Sequence, residues 1–216
     1  MKNFSSPLFR GFTDNEINQM QNSSCMRSAS YTKDEIIFRS GNTIHELGIV
    51  VSGSVHIENI DLWGNRSILS NVSSGHVFGE TYALCDEPMM VSAVASEDSQ
   101  ILFLDMNFIM NSANESESWH MKFMKNMLQV CIQKNLTLSN RIFCTTAKTI
   151  RSRLLTYLSG MSVKSGSTMF QIPFDRQQLA DYLNVDRSAL SKELGKMRNE
   201  GLIDFHKNTF KLNETI

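Results

Sequence analysis

The feature that most constrains this 216-residue chain is the run from Phe174 to Ile203, FDRQQLADYLNVDRSALSKELGKMRNEGLI. Asp175 with Gln178 three residues on forms a capping box that starts one short helix, RQQLADYLN. Asp186 caps a second helix, RSALSKELGKMRNE, which Gly201 closes. Val185 sits in the tight turn between them, and the small Ala180 lets the two helices cross closely. Leu179, Leu183, Leu190, Leu194 and Met197 fall on the inward faces. The opposite face of the second helix carries Arg187, Ser188, Ser191 and Lys192. A helix so presented fits the major groove of duplex DNA with its first residues against base edges. Arg187 can fork onto O6 and N7 of guanine, and Lys192 can reach guanine or phosphate.

The flanking residues complete a winged form of this motif. A helix is predicted over residues 147–159, with Ile150, Leu154 and Leu158 on one face, followed by the loop SVKSGST and a short strand, MFQIP. Two further strands, LIDFH and TFKLN, flank Lys207-Asn208 as a wing. Arg176 and Gln177 open the first helix of the pair, where free backbone N–H groups suit a phosphate. With His206, Lys207 and Asn208 of the wing they are the expected phosphate contacts. Charge supports the assignment. Residues 147–216 hold 11 Lys and Arg against 7 Asp and Glu, whereas residues 1–146 hold 10 against 15, so a basic part follows an acidic one.

The N-terminal part has a different texture. After a short capped helix over residues 13–20, the runs EIIF, LGIVVSG, SVHIENI, RSILSNV, HVFGE and ILFLD are rich in Val, Ile and Phe. Gly41-Asn42, Ser52-Gly53, Gly64-Asn65 and Ser74-Gly75 punctuate them. Short strands at regular spacing predict a β-barrel, sandwich or roll. A long helix is expected from about residue 117. Met121, Met124, Leu128, Cys131, Asn135, Leu138 and Ile142 recur at spacings of three and four, a heptad seam with one polar member. Phe123, Met127 and Val130 form a second stripe. One stripe can cover the β-rich part while the other pairs with a second copy of the chain.

No run of about 18 apolar residues is present, and the N-terminus has no continuous apolar core of a signal peptide, so a cytoplasmic protein is expected. Cys25, Cys85, Cys131 and Cys144 form no C-x-x-C pair and read as structural thiols.

These motifs together resemble the Crp/Fnr transcription regulators (cyclic-AMP receptor protein-like). DRQQLADYLNVDRSALSKELGKMRNEGLI is similar to their DNA-reading signature, and SYTKDEIIFRSGNTIHELGIVVSGSVHIENIDLWGNRSILSNVSSGHVFGE looks like their β-roll. The resemblance implies an α+β chain in three parts. Residues 1–114 would form a jelly-roll, cyclic-nucleotide-binding-like β-roll sensor, residues 115–146 a long dimerisation helix and hinge, and residues 147–216 a winged helix-turn-helix. It implies a homodimer on near-palindromic double-stranded DNA, with Arg187, Ser188, Ser191 and Lys192 at the base-reading positions. RNA polymerase would be a partner if the protein activates, and a small-molecule effector would be sensed by the roll.

In cyclic-nucleotide-binding members a Gly-Glu turn is followed by an Arg-Ser or Arg-Thr pair that holds the cyclic phosphate. Here Gly79, Glu80 and Thr81 keep the turn, but Met89 and Met90 stand where Arg-Ser is expected. No Arg or Lys lies between Arg66 and Lys122. A buried phosphate needs a cation or many donors, so cyclic AMP in the usual mode is disfavoured and the effector stays unidentified. Met89, Met90, Met124 and Met127, with the Gly79 turn, are the expected lining of an effector pocket. An iron–sulfur cluster does not suit a chain with only Cys25 near its N-terminus. Haem is an alternative, with His45, His56 or His76 as nominal ligands. A metal-dependent cupin-like enzyme would need an H-x-H pair, which the β-rich part lacks, so an enzyme is not expected. A ligand-binding module without DNA would leave the basic helix face unexplained.

Overall fold

The computed structural model describes residues 6–23, 25–60, 66–111, 113 and 115–213. Tertiary contacts divide the chain into two units, Met1–Cys131 and Ile132–Ile216.

In the first unit a 3-10 turn at Pro7–Phe9 precedes helix α1 (Asp14–Asn22), whose N-cap Thr13 and Glu16 form a capping box. Eight strands follow: β1 (Met26–Tyr31), β2 (Ile36–Phe38), β3 (Glu46–Ser52), β4 (Ser54–Ile60), β5 (Arg66–Ser73), β6 (Val77–Phe78), β7 (Ser92–Ala95) and β8 (Ser99–Asp105). They form two antiparallel four-stranded sheets, β1-β8-β3-β6 and β2-β7-β4-β5. This is the β-roll expected from the strand texture. The expected turn glycines Gly41, Gly53 and Gly75 all adopt positive φ, while the Gly64-Asn65 turn lies outside the described residues. Helix α2 (Glu80–Cys85) interrupts the strands, and α3 (Met106–Ile109) follows β8.

Strand alternation sends consecutive side chains to two different cores. In the paired strands β3 and β8, Leu47, Ile49, Leu102 and Leu104 join Leu8, Met20, Trp119, Phe123 and Met127 in one cluster. The residues between them, Val50, Ile101 and Phe103, turn the other way and meet Phe38, Val55, Phe78, Met89 and Ala93 inside the roll. Gly48 shares that inner face. A Cβ there would lie 2.3 Å from the Phe78 ring, so only glycine admits the ring. Each fully buried aliphatic or aromatic side chain contributes about 1.5–3 kcal/mol of transfer free energy.

Helix α4 runs from Ser118 to Thr146, and the division between units falls inside it. Phe123 and Met127 are buried against the first unit, while Met121, Leu128, Leu138 and Ile142 are exposed. The seam stripe is thus largely exposed, with Met124 and Cys131 half-buried against the same core that takes Phe123 and Met127. Asn126, also buried, donates from Nδ2 to the carbonyls of Leu8 and Arg10, each at 2.9 Å.

The second unit contains α5 (Ile150–Ser165), β9 (Met169–Gln171), α6 (Arg176–Leu183), α7 (Arg187–Asn199), β10 (Ile203–His206) and β11 (Thr209–Leu212), with a small sheet in the order β10-β11-β9. The helix expected over residues 147–159 in fact starts at Ile150 and continues to Ser165. Thr149 is its N-cap, accepting from the Ser152 N–H, and Gly166 ends it at φ +65. Ser and Gly in SVKSGST suggested an earlier stop. Met161 still packs on the core, which holds that extra turn in place.

Candidate nucleic-acid interface

The helix pair is built as its caps dictate. Asp175 Oδ1 accepts from the Gln178 N–H at 2.8 Å, and Gln178 Oε1 accepts from the Asp175 N–H at 2.9 Å. Asn184 closes α6 in the left-handed conformation, at φ 53, with its N–H turned back to the carbonyls of Ala180 and Asp181. Asp186 then caps α7, its Oδ1 accepting from the Ala189 N–H at 2.8 Å. Each such cap contributes about 0.5–2 kcal/mol. Leu179, Ala180, Leu183, Leu190, Leu194 and Met197 are fully buried, which fixes the crossing of the two helices.

That crossing turns the other side of α7 outward. Arg187, Ser188, Ser191 and Lys192 are all exposed, and among the described residues Arg187 and Lys192 have no ion pair. The helix back is held differently. Arg151 of α5 donates from Nε to Glu193 at 2.6 Å and from both terminal nitrogens to Glu200 at 2.7 and 2.8 Å. The two carboxylates hold the Arg151 guanidinium above its usual pKa, Glu200 contributing most, and Arg151 in turn holds the Glu200 carboxyl below its usual value. These acids are thereby engaged at the back of α7, away from Arg187 and Lys192, whose charges stay available.

The wing carries the residues expected to touch phosphate. His206 and Lys207 are exposed, and Lys207 occupies the turn at φ 52. Asn208 is half-buried. It donates from Nδ2 to the Ile172 carbonyl at 3.3 Å, and its own carbonyl accepts from the Ile172 N–H at 2.9 Å. Gln177 is exposed and donates to Asp181 at 2.8 Å. Arg176 is half-buried, its guanidinium 5.1 Å from the Phe205 ring centre and 5.9 Å from that of Phe210. Burial lowers its pKa from the usual value, and a guanidinium remains cationic at neutral pH regardless. Arg198 lies 4.9 Å from the centre of the same Phe205 ring, so one wing ring gathers an arginine from each helix of the pair. Ile172, Phe174, Asp175, Arg176, Lys207 and Asn208 line a cavity of about 480 Å³ between the start of α6 and the wing.

The expected effector residues separate. Gly79 takes φ +77 at the start of α2, where a Cβ would come within 3.0 Å of Phe38. Glu80 is buried, and Thr81 is exposed and donates to Glu80 Oε1 at 3.2 Å. The four methionines do not line one pocket, which corrects the sequence expectation. Met89 is 3 % exposed and belongs to the roll interior with Phe38, Phe78 and Phe103, whereas Met90 is 78 % exposed. Met127 and the half-buried Met124 belong to the cluster under α4. Met89 and Met90 lie in the loop before β7, whereas Met124 and Met127 stand on α4, and spacing in sequence does not bring the two groups together.

The donor set suits a buried cyclic phosphate poorly: Phe38 and Ile44 flank the Gly79 turn, and the thioether of Met89 lies in the same interior cluster as Phe38. Sequence reasoning missed Arg27. Its guanidinium lies 3.9 Å over the Phe103 ring, and Glu46 takes its fork at Nε with distances of 2.8 and 3.1 Å. The pairing of Arg27 with Phe103 across β1 and β8 creates this contact and leaves no local sequence signal. The nominal haem ligands do not converge either. His45 pairs with Asp86 at 3.5 Å, His76 contacts Ser73, and His56 alternates with the inward-facing Val55 and Ile57. Among the described residues no group of three His, Cys, Asp or Glu is arranged to hold a metal ion. Among the described residues, Cys25, Cys85, Cys131 and Cys144 form no disulfide.

Residues 28–115 match the family described as cyclic nucleotide-binding domain, and residues 152–214 match the Crp-like helix-turn-helix domain. A cyclic AMP receptor protein of Thermus thermophilus is 32 % identical over 99 residues, covering 46 % of this chain and 45 % of that protein. The match thus spans less than half the length of that relative. Among solved structures, a CooA mutant from Carboxydothermus hydrogenoformans aligns over 87 % of this chain and 83 % of its own, with 22 % identity and a TM-score of 0.56. A CprK variant complexed with OCPA aligns over 93 % and 89 %, with 15 % identity and a TM-score of 0.64. At these identities the two structures establish a shared fold.

Proposed function

Because the chain belongs, through both matched domains, to the Crp/Fnr type of transcription regulator, we propose that it acts as a homodimer on near-palindromic duplex DNA. In this reading Arg187, Ser188, Ser191 and Lys192 meet base edges, and Arg176, Gln177, His206, Lys207 and Asn208 hold the backbone. The observation that carries it is a capped helix with one face locked by Leu190, Leu194 and Met197 and the other offering two unpaired cations and two hydroxyls. Arginine reads guanine by a planar fork, and lysine adds a charge that phosphate or guanine can take. The α4 stripe, in which Met121, Leu128, Asn135, Leu138 and Ile142 are exposed and Met124 and Cys131 are half-buried against the first unit's core, pairs with a second copy. Two recognition helices would then meet half-sites one helical turn apart.

The β-roll senses something other than cyclic AMP held in the usual phosphate mode. The protein performs no catalysis, works in the cytoplasm, and meets RNA polymerase when it activates. No described helix is long and apolar enough to cross a membrane.

The test is an electrophoretic shift on a randomised duplex pool with excess competitor DNA. The proposal expects enrichment of a two-half-site sequence, with affinity falling steeply as salt rises, because phosphate contacts release counterions. Failure of the pool to enrich any sequence would overturn it.

A further inference from the structure

The end of α6 is held by more than its own cap. The last carbonyls of a helix lack intrahelical partners. Here Asn184 already turns its N–H back to the carbonyls of Ala180 and Asp181, which is enough to end the helix. Two arginines from outside the helix pair then take the carbonyls of four consecutive residues. Arg141 of α4 donates from Nη2 to Asp181 at 3.0 Å and from Nε to Tyr182 at 3.2 Å. Arg153 of α5 donates from Nη1 to Leu183 at 3.0 Å and to Asn184 at 2.9 Å. The Nε of Arg153 also donates at 2.8 Å to the carbonyl of Ala147, in the link between α4 and α5. Two cations at the negative end of the α6 dipole are favourable in themselves. What the cap does not require is their origin, since they bind this turn to the last turn of α4 and to the link after it.

The position along the chain gives the contacts a consequence. Asn184 is followed by Val185, Asp186 and then the first residue of α7, so the clamped carbonyls lead straight into Arg187 and Ser188. On α4, Arg141 stands beside Ile142 and three residues after Leu138, both exposed on the seam. A single turn of α4 therefore offers apolar side chains outward and grips the base of the reading head. The ring of Tyr182 adds to the grip: it lies 5.4 Å from the centre of Tyr157 and 4.9 Å from that of Phe174, inside the unit's core.

We propose that Arg141 and Arg153 are positioning residues that tie the recognition helix to the paired long helices, so that the separation of the two reading heads is set through this double clamp. The inference rests on the reading of the α4 stripe as a seam between two copies. The clamp makes operator recognition by the dimer stronger than recognition of two independent half-sites, because the second head arrives already oriented.

The test uses full-length protein, the palindromic duplex that the wild type enriches from a randomised pool, and a single half-site cut from that duplex. Sedimentation and thermal melting run alongside anisotropy titrations. Arg141→Gln is expected to weaken binding to the full duplex by about tenfold or more, the loss expected of a charge-assisted bond, and to the half-site by less than about twofold. The variant stays dimeric and melts close to the wild type. Arg153→Gln gives the same pattern independently, and Arg141→Lys recovers part of the loss, since the charge near the carbonyls returns without the fork.

Equal losses on both duplexes with a lowered melting temperature would reduce the arginines to fold stabilisers and overturn the proposal. Unchanged affinity on both duplexes would overturn it as well. A monomeric Arg141→Gln would place the residue's effect in the seam and also refute the clamp. If the wild type enriches no duplex, the DNA-binding reading fails first and the clamp falls with it.

Discussion

Leu138→Glu tests the α4 stripe most severely. Leu138 is 59 % exposed in the single chain, although it is a leucine on a regularly spaced apolar stripe. Burying a whole leucine side chain contributes about 1.5–3 kcal/mol, so covering that exposed share contributes roughly 0.9–1.8 kcal/mol per copy. The symmetric pair therefore loses roughly 2–3.5 kcal/mol when both leucines are replaced, before any charge effect. At 1.4 kcal/mol per tenfold, this weakens the dimer by about 30- to 300-fold. The two new carboxylates, facing each other across a seam with an apolar lining, add desolvation and like-charge repulsion. Sedimentation velocity over a concentration series reads the shift directly. A dimer of unchanged strength for Leu138→Glu would refute the seam. Melting of the isolated chain should barely move, because the residue carries little of the monomer's core.

Two further expectations follow from charge. Isothermal calorimetry with cyclic AMP should give no binding near roughly micromolar concentration, because the roll interior around Phe38 holds Met89 instead of a cation and Arg27 is already held by Glu46. Micromolar binding would mean that other donors replace the missing cation. Glu16 accepts from Lys122 Nζ at 2.8 Å on both oxygens, and this ion pair, with the Thr13 N–H, lowers its pKa to about 2. A carboxyl depressed on folding stabilises fully above its ordinary value of 4.5, and that stabilisation is lost as pH falls towards about 2. Glu16→Gln keeps a capping-box side chain, so the gap in melting temperature between wild type and variant should hold above pH 4.5 and close below it. A gap that does not change with pH would show that the ion pair contributes nothing.

The DNA-reading half of the chain was legible because its determinants are local. Asp175 and Gln178, or Asp186 and Ala189, lie three residues apart, and a cap acts over that distance. The division of Leu47 and Ile49 from Gly48 and Val50 between two cores was not legible, because LGIVV is apolar throughout. Contacts across long loops left no trace either. Arg141 meets Tyr182 41 residues away, Arg151 meets Glu193 42 residues away, and nothing local predicts either. The helix end at Ser165 was missed for a similar reason. Ser and Gly set a local preference for a turn, and packing of Met161 on a distant core outweighed it. The methionines failed as a pocket because Met89, in the loop before β7, is held by backbone hydrogen bonds to Gly41 and Asn42 far away in sequence.

The claim on which the rest depends is that α7 reads bases through its exposed face. Selection from a randomised duplex pool, sequenced in parallel for the wild type and Arg187→Ala, measures this directly. The account expects the variant to lose about 1–3 kcal/mol on the wild-type operator and to relax its preference at one base pair in each half-site. An identical base profile for the two proteins would contradict it.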